Sequence, residues 1–189
     1  MIEVVENFLT EQECKDLIEL ASPNLTPSNI VLNANGIRTE QYDFRNSQDY
    51  YVRESNEVID TIKQRINTTL GIPVENMEDM CIIRYKEGEY FKAHHDFFHT
   101  NTPNYEERVK NSGNRNFTCL IYLKPADRGG ETNFPYLGKA FSPNAGTLLH
   151  WRNMIEQELQ NNTLHEGLPV IKGEKWIASI WCRENKIIK

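Results

Sequence analysis

The sequence predicts a segregated α+β domain, a β-sandwich or jelly roll with supporting helices on its N-terminal side. Two apolar stripes of helical period lie before residue 80. From Met80 onward, short runs rich in β-branched and aromatic residues alternate with turn signals, without the strand-helix alternation of a doubly wound sheet. For 189 residues one core is the default, because a chain of this size buries roughly 70% of its extended surface on folding. The reading is a single domain over 1–189, with helical support in 1–79 and the strand-built core in 80–183.

Each element has a local reason. Thr10 and Glu13 form a capping-box signature, and Leu9, Cys14, Leu17, Ile18 and Ala21 follow at helical spacing, which predicts a first amphipathic helix ending near Pro23. Ser55 is placed to cap a second, with the stripe Val58, Ile59, Ile62, Ile66, Leu70 and a stop at Gly71. Residues 23–50, polar and rich in Asn and Ser, read as short strands and a mobile loop. Strands are expected at 80–85, 117–123, 131–134, 146–151 and 175–182. The polar connection 100–114 is long enough to suggest a functional loop.

Composition narrows the function. Hydrophobic residues make up 39% and charged residues 25%, the balance of an ordinary soluble globule. With 21 basic and 27 acidic side chains, the net charge of -6 gives no general attraction to nucleic acid or an anionic membrane. No run approaches the ~20 apolar residues of a membrane span, and the start Met1-Ile2-Glu3-Val4-Val5-Glu6 lacks the pattern of a signal peptide. The expected location is the cytoplasm, or the host-cell cytoplasm for a viral chain. Cys14, Cys81, Cys119 and Cys182 sit apart in apolar stretches and read as reduced core residues. The sequon at Asn116 opens an apolar strand, where a glycan has no room.

The chemistry-bearing residues begin with His94-His95-Asp96. Non-haem iron oxygenases bind Fe(II) with two imidazoles and a carboxylate on one face, leaving the other positions open. On a strand, residues i and i+2 share a side, so His94 and Asp96 would converge while His95 turns away. The same spacing also suits a polar strand end facing solvent. His165, beyond the strand block, can complete a triad if a jelly roll brings it back. In the 175–181 run, alternation puts Lys175, Ile177, Ser179 and Trp181 on one face and Trp176, Ala178 and Ile180 on the other. Lys175 is either a solvated strand end or a buried ammonium in need of an anion. His150 reads as a satisfied core histidine, and His95 and His99 as rim or solvent residues.

From Val4 to Cys182 these segments resemble the prolyl 4-hydroxylases, closest to the short catalytic domains of plant, algal, bacterial and viral forms. The likeness is carried by Phe8-Leu9-Thr10-Glu11-Gln12-Glu13-Cys14, Arg84-Tyr85-Lys86-Glu87-Gly88, His94-His95-Asp96-Phe97-Phe98 and Leu120-Ile121-Tyr122-Leu123. It continues in Gly129-Gly130-Glu131-Thr132-Asn133-Phe134-Pro135, in His165-Glu166-Gly167-Leu168-Pro169-Val170, and in Gly173-Glu174-Lys175-Trp176 with Trp181. The resemblance implies a double-stranded β-helix in which His94, Asp96 and His165 bind Fe(II). It assigns the far carboxylate of 2-oxoglutarate to Lys175, helped by Tyr85 and Thr132, with Tyr122 lining the same pocket. Arg115 and Trp181 match positions facing the peptide or the metal pocket, and Arg45-Asn46-Ser47 resembles part of a flexible loop that folds over substrate. Phe91, beside Tyr90, stands where relatives often have a substrate-placing Tyr, and the Asn-rich 28–35 segment and the 100–114 connection also depart from the pattern.

The activity so implied is hydroxylation of peptidyl proline at C4, coupled to conversion of 2-oxoglutarate and O2 to succinate and CO2, with ascorbate as reductant. The expected partner is a proline-containing peptide or protein, not nucleic acid or membrane, and the expected state is a monomer or weak homodimer. The rival readings are a 2-oxoglutarate oxygenase acting on another side chain or small molecule, and a non-catalytic jelly-roll binding module.

Overall fold

The alternation along the Lys175–Arg183 strand decides which way the rest of the molecule faces. Trp176, Ala178, Ile180 and Cys182 join the helix-side apolar cluster, whereas Ile177 and Trp181 belong to a second cluster on the opposite face. The computed structural model describes residues 2–28, 43–102 and 104–188, with the backbone of 30–31 and 38–39. Most of the Asn-rich 28–35 segment, and the middle of the 23–50 stretch, lie outside the described residues.

Two antiparallel sheets form the jelly roll. The larger has seven strands in the order Ile2–Val5, Leu148–Arg152, Arg115–Lys124, Lys175–Arg183, Cys81–Tyr85, Gln48–Tyr51 and Thr26–Pro27. The smaller has four: Lys139–Phe141, Thr132–Phe134, His165–Gly167 and Phe91–His94. Side chains from both sheets fill the space between them, Ile83, Leu120, Leu149 and Trp151 from the first meeting Phe134 from the second in one buried cluster. Connections between consecutive strands that switch sheets are what give a jelly roll its closed interior.

Two helices cover the outer face of the larger sheet. In the Glu11–Ala21 helix the capping box is complete: Thr10 Oγ1 accepts from the Glu13 amide at 3.2 Å, and the Thr10 amide donates to Glu13 Oε2 at 2.8 Å. The Glu57–Leu70 helix buries Ile59, Ile62 and Ile66, and ends where Gly71 takes a left-handed conformation at φ 70°. Its cap is Asn56 rather than Ser55: Asn56 has the extended backbone of a cap residue, and its amide oxygen accepts from the Val58 and Ile59 N–H groups. Arg65 ties the helices together, donating to Glu13 Oε1 at 2.7 Å, and this bond holds the Glu13 carboxyl down at about 2.

Other expectations are refined. The 100–114 connection contains a short helix, Tyr105–Val109. All four cysteines are buried and unpaired. Among the described residues, no helix is long and apolar enough to cross a membrane.

Candidate active site

The smaller sheet assembles the reactive end of the cavity. His94 is the last residue of its strand and His165 the first of its own, and the two are direct partners in the antiparallel ladder. Asp96 does not reach them by strand alternation. The strand stops at His94, and a bend returns Asp96 beneath the two rings. His94 Nε2 lies 3.8 Å from Asp96 Oδ1, and His165 Nε2 lies 3.7 Å from Asp96 Oδ2. One ligand atom from each of the three falls within 4.8 Å of the others, the arrangement of a group able to hold a metal ion.

The protonation pattern suits a metal. His94 Nδ1 meets the Lys92 carbonyl at 2.8 Å and His165 Nδ1 meets the Thr163 carbonyl at 2.9 Å. A carbonyl only accepts, so each Nδ1 carries a proton and each ring turns its Nε2 toward Asp96. Burial, reinforced by His165, pushes His94 down to about 3 and keeps that ring neutral. For Asp96, burial opposes ionisation, but the neighbouring His165, His94 and Arg115 and the Thr118 hydroxyl outweigh it and hold the carboxyl below its usual range. Thr118 Oγ1 donates to Asp96 Oδ2 at 2.8 Å.

Lys175 occupies the other end. It is 2% exposed, which excludes a solvated strand end. Its Nζ sits 5.4 and 5.1 Å from the ring centres of Tyr85 and Tyr122, and donates to Thr132 Oγ1 at 3.4 Å. Tyr122 donates to the Phe141 carbonyl at 2.9 Å, so the 2.7 Å contact between Tyr122 and Thr132 is donated by the threonine. No carboxylate pairs with Lys175 among the described residues, and burial lowers it to about 7, with Glu131 opposing the shift. Burial also raises the Tyr85 and Tyr122 phenols, which stay protonated. A buried cation beside one hydroxyl and two aromatic rings, with no carboxylate partner among the described residues, is a receptor for a carboxylate.

Two connected spaces meet at the triad. A narrow inner cavity of about 40 Å³ runs from His94, Asp96 and His165 to Lys175, and a broad outer cleft of about 820 Å³ opens beyond it. Arg45, Phe91, His94, Asp96 and Trp181 border both. Phe91 stacks on His94 with ring centres 3.7 Å apart. Arg45 is buried instead of riding on an open loop: it covers the Phe91 ring, donates from Nε to Ser47 at 2.7 Å and lies 3.1 Å from Asp49.

Arg115 borders the outer cleft, where Glu78 grips it at 2.8 and 2.7 Å and the guanidinium covers Trp181 at 4.1 Å. Glu78 also accepts from Arg183 at 2.6 Å, and Phe98 lies under both arginines; Glu78 did not stand out in the sequence, and Phe98 did so only within the family likeness. Tyr90 borders neither space, its amide donating instead to Asn46 at 2.7 Å. His95 and His99 line the outer cleft, 3.2 Å apart. His150 is buried against Phe117, yet its Nδ1 has no hydrogen-bond partner among the described residues, so it is a core histidine but not a fully satisfied one.

A jelly roll that brings two imidazoles, a carboxylate and a buried lysine around one cavity defines the class of 2-oxoglutarate- and Fe(II)-dependent oxygenases. The family model described as the 2OG-Fe(II) oxygenase superfamily matches residues 80–183. Within it, a protein of Acanthamoeba polyphaga mimivirus named as a prolyl 4-hydroxylase is 30% identical over 97% of this chain and 74% of its own length. Prolyl 4-hydroxylase 5 of Arabidopsis thaliana is 33% identical over 94% of this chain and 66% of that one. The viral collagen prolyl hydroxylase of Paramecium bursaria Chlorella virus 1, solved with 2-oxoglutarate, superposes with a TM-score of 0.75 at 31% identity, covering 96% of this chain and 95% of that one. The chain therefore belongs to the prolyl 4-hydroxylase family of 2OG-Fe(II) oxygenases, a family of oxidoreductases.

Proposed function

We propose that the protein hydroxylates C4 of proline within a peptide or protein, converting 2-oxoglutarate and O2 to succinate and CO2. The observation that carries this reading is the pairing of a buried two-histidine, one-aspartate group with a buried lysine that has no carboxylate partner among the described residues, across one cavity. His94, Asp96 and His165 would hold Fe(II), and their donor set fits: two imidazoles oriented through Nδ1 by backbone carbonyls, and one carboxylate held below its usual range. Fe(II) held there would supply the O2-activating chemistry that accompanies 2-oxoglutarate decarboxylation.

The chain's own residues orient and exclude. Lys175, assisted by the hydroxyls of Thr132 and Tyr85, would hold the far carboxylate, with Tyr122 fixing Thr132. Arg45, Phe91 and Trp181 border both the inner cavity and the outer cleft, and so stand where cosubstrate would enter. Arg115, Trp181 and Phe91 would meet the peptide in the outer cleft, whose volume of about 820 Å³ suits a chain segment. Tyr90 would act at one remove, by supporting the 43–46 segment. The relative described as a collagen prolyl hydroxylase supports a proline-containing peptide as substrate, and the acidic net charge favours protein over nucleic acid. Ascorbate is assigned as reductant, the cytoplasm as location, a monomer or weak homodimer as the working state, and a single domain over 1–189 as the folding unit.

A second reading, hydroxylation of a different side chain, is favoured by one observation. Phe91 lies flat on His94 and offers no hydroxyl to a substrate. Incubating proline-rich peptides and host proteins with enzyme, Fe(II), 2-oxoglutarate and ascorbate, followed by mass spectrometry, separates the two. A one-oxygen gain on proline is expected, and a gain found solely on Lys, Asn or a free amino acid would overturn the first reading.

A further inference from the structure

Behind the carboxylate of Asp96 stand two buried polar side chains that the proposed reaction does not otherwise use. The two oxygens of Asp96 are treated differently. Oδ2 receives the Thr118 hydroxyl at 2.8 Å, whereas Oδ1 receives no hydrogen bond among the described residues. Thr118 has one proton to give, and Asn153 determines where it goes. Because a carboxylate only accepts, Thr118 must donate to Asp96, and its oxygen is then free to accept from Asn153 Nδ2, 2.9 Å away. Thr118 is 1% exposed and Asn153 is fully buried, so bulk water does not compete for either bond. The directed order is therefore Asn153 to Thr118 to Asp96, a relay in which the amide locks the hydroxyl rotor.

We infer that Asn153 and Thr118 are positioning residues that hold Asp96 as a single-oxygen ligand, engaging Oδ2 so that Oδ1 alone is offered to the ion. This rests on the ligand reading proposed above. A carboxylate free to rotate could chelate through both oxygens and occupy a position that 2-oxoglutarate or O2 requires. The protein prevents this from behind, with two neutral side chains on neighbouring strands. Thr118 comes from Arg115–Lys124, and Asn153 directly follows Leu148–Arg152, where its amide donates to the Asn116 carbonyl at 2.8 Å.

The test uses metal alone, without turnover. Mn(II) is titrated into metal-free protein under electron paramagnetic resonance, and the visible spectrum of the Co(II) form is recorded. Thr118→Val keeps the shape and removes the donor, and should weaken Mn(II) binding by about 10- to 100-fold, the usual effect of losing a hydrogen-bond partner of a ligand. The Co(II) spectrum should shift as the second oxygen joins. Thr118→Ser should restore binding to within about threefold of wild type, since it retains the hydroxyl. Asn153→Ala, read independently should Thr118→Val fold poorly, should fall between the two. His165→Ala separates the layers of the argument: if it binds Mn(II) normally, the ligand reading itself is wrong. If it loses Mn(II) while Thr118→Val and Asn153→Ala match wild type in affinity and Co(II) spectrum, the relay alone is overturned.

Discussion

Neighbouring residues of the Lys175–Arg183 strand live in two chemically opposite places. On the helix side, Trp176, Ala178, Ile180 and Cys182 pack with Ile62 and Ile66 in an entirely apolar layer. Turned the other way, Lys175 and Ser179 are just as buried, but beside Ile177 and Trp181 they line a cavity with Asp96, Thr132 and His165. One face secures the fold by removing hydrocarbon from water, while the other spends part of that stability on keeping polar groups dry and aimed. The difference teaches that stability and activity are separable here by the direction in which a strand residue points, even though both faces share one backbone.

The separation can be broken or sharpened by mutation. The largest effect is expected on the polar face: Asp96→Ala or His165→Ala should abolish succinate formation while circular dichroism stays native. Near-normal turnover by either variant would refute the ligand assignment. Opposite in kind, Ile62→Ala on the apolar face should cost about 2–5 kcal/mol in urea unfolding and leave Mn(II) affinity unchanged. A parallel drop in affinity would show that the faces are coupled.

Lys175→Met sits at the boundary, and its two effects should have opposite signs. Losing a charge-assisted hydrogen bond of about 1.5–3 kcal/mol should raise the 2-oxoglutarate requirement about 10- to 100-fold. Removing a buried ammonium that has no carboxylate partner among the described residues should stabilise the ligand-free protein by about 0.5–2 kcal/mol. Calorimetry with and without 2-oxoglutarate reads both, and destabilisation of the free protein would contradict the account.

The pH dependence follows from the same lysine. With the folded group at about 7 and its ordinary value at 10.5, the unfolded chain holds one more proton between those limits. Burial of Lys175 therefore weakens the ligand-free fold fully below pH 7, and the penalty lifts as pH rises toward 10, at up to about 1.4 kcal/mol per unit. The groups facing Nζ are the Tyr85 and Tyr122 rings and the Thr132 hydroxyl, with Glu131 as the carboxylate that acts on it. Subtracting the Lys175→Met profile from wild type should isolate that slope, and a flat difference would remove Lys175 as its source. Cosubstrate binding, which needs the ammonium, should weaken over the same rise. The smallest effect belongs to the periphery: Thr10→Ala should cost about 1 kcal/mol in melting and nothing in turnover.

What could be read from residues alone follows physical range. The capping box at Thr10 and the glycine stop at Gly71 are local, and both appear in the structure where the spacing puts them. The faces of the 175–181 run were legible because strand alternation is a rule of single residues. His94 and Asp96 were legible as a pair, though by a bend rather than by strand geometry. His165 gave no local sign of its partners; only the family likeness and the ladder connect it to them. Thr118, Asn153 and Glu78 escaped notice because a polar side chain in or beside an apolar strand looks the same whether it faces solvent or supports a buried charge. Asn56 displaced Ser55 as a cap because two adjacent cap-formers leave the choice to backbone geometry.

The rung shared by His94 and His165 carries a consequence for how such a chain can diverge. Since the two imidazoles are lateral neighbours in one ladder, their spacing is set by strand pairing and not by the length or surface of the 100–114 connection that lies between them in the chain. A slip of the ladder by a single residue would instead swing one ring to the far side of the sheet. Evolution can thus redraw the rim that greets a substrate while the hearth beneath it keeps its dimensions.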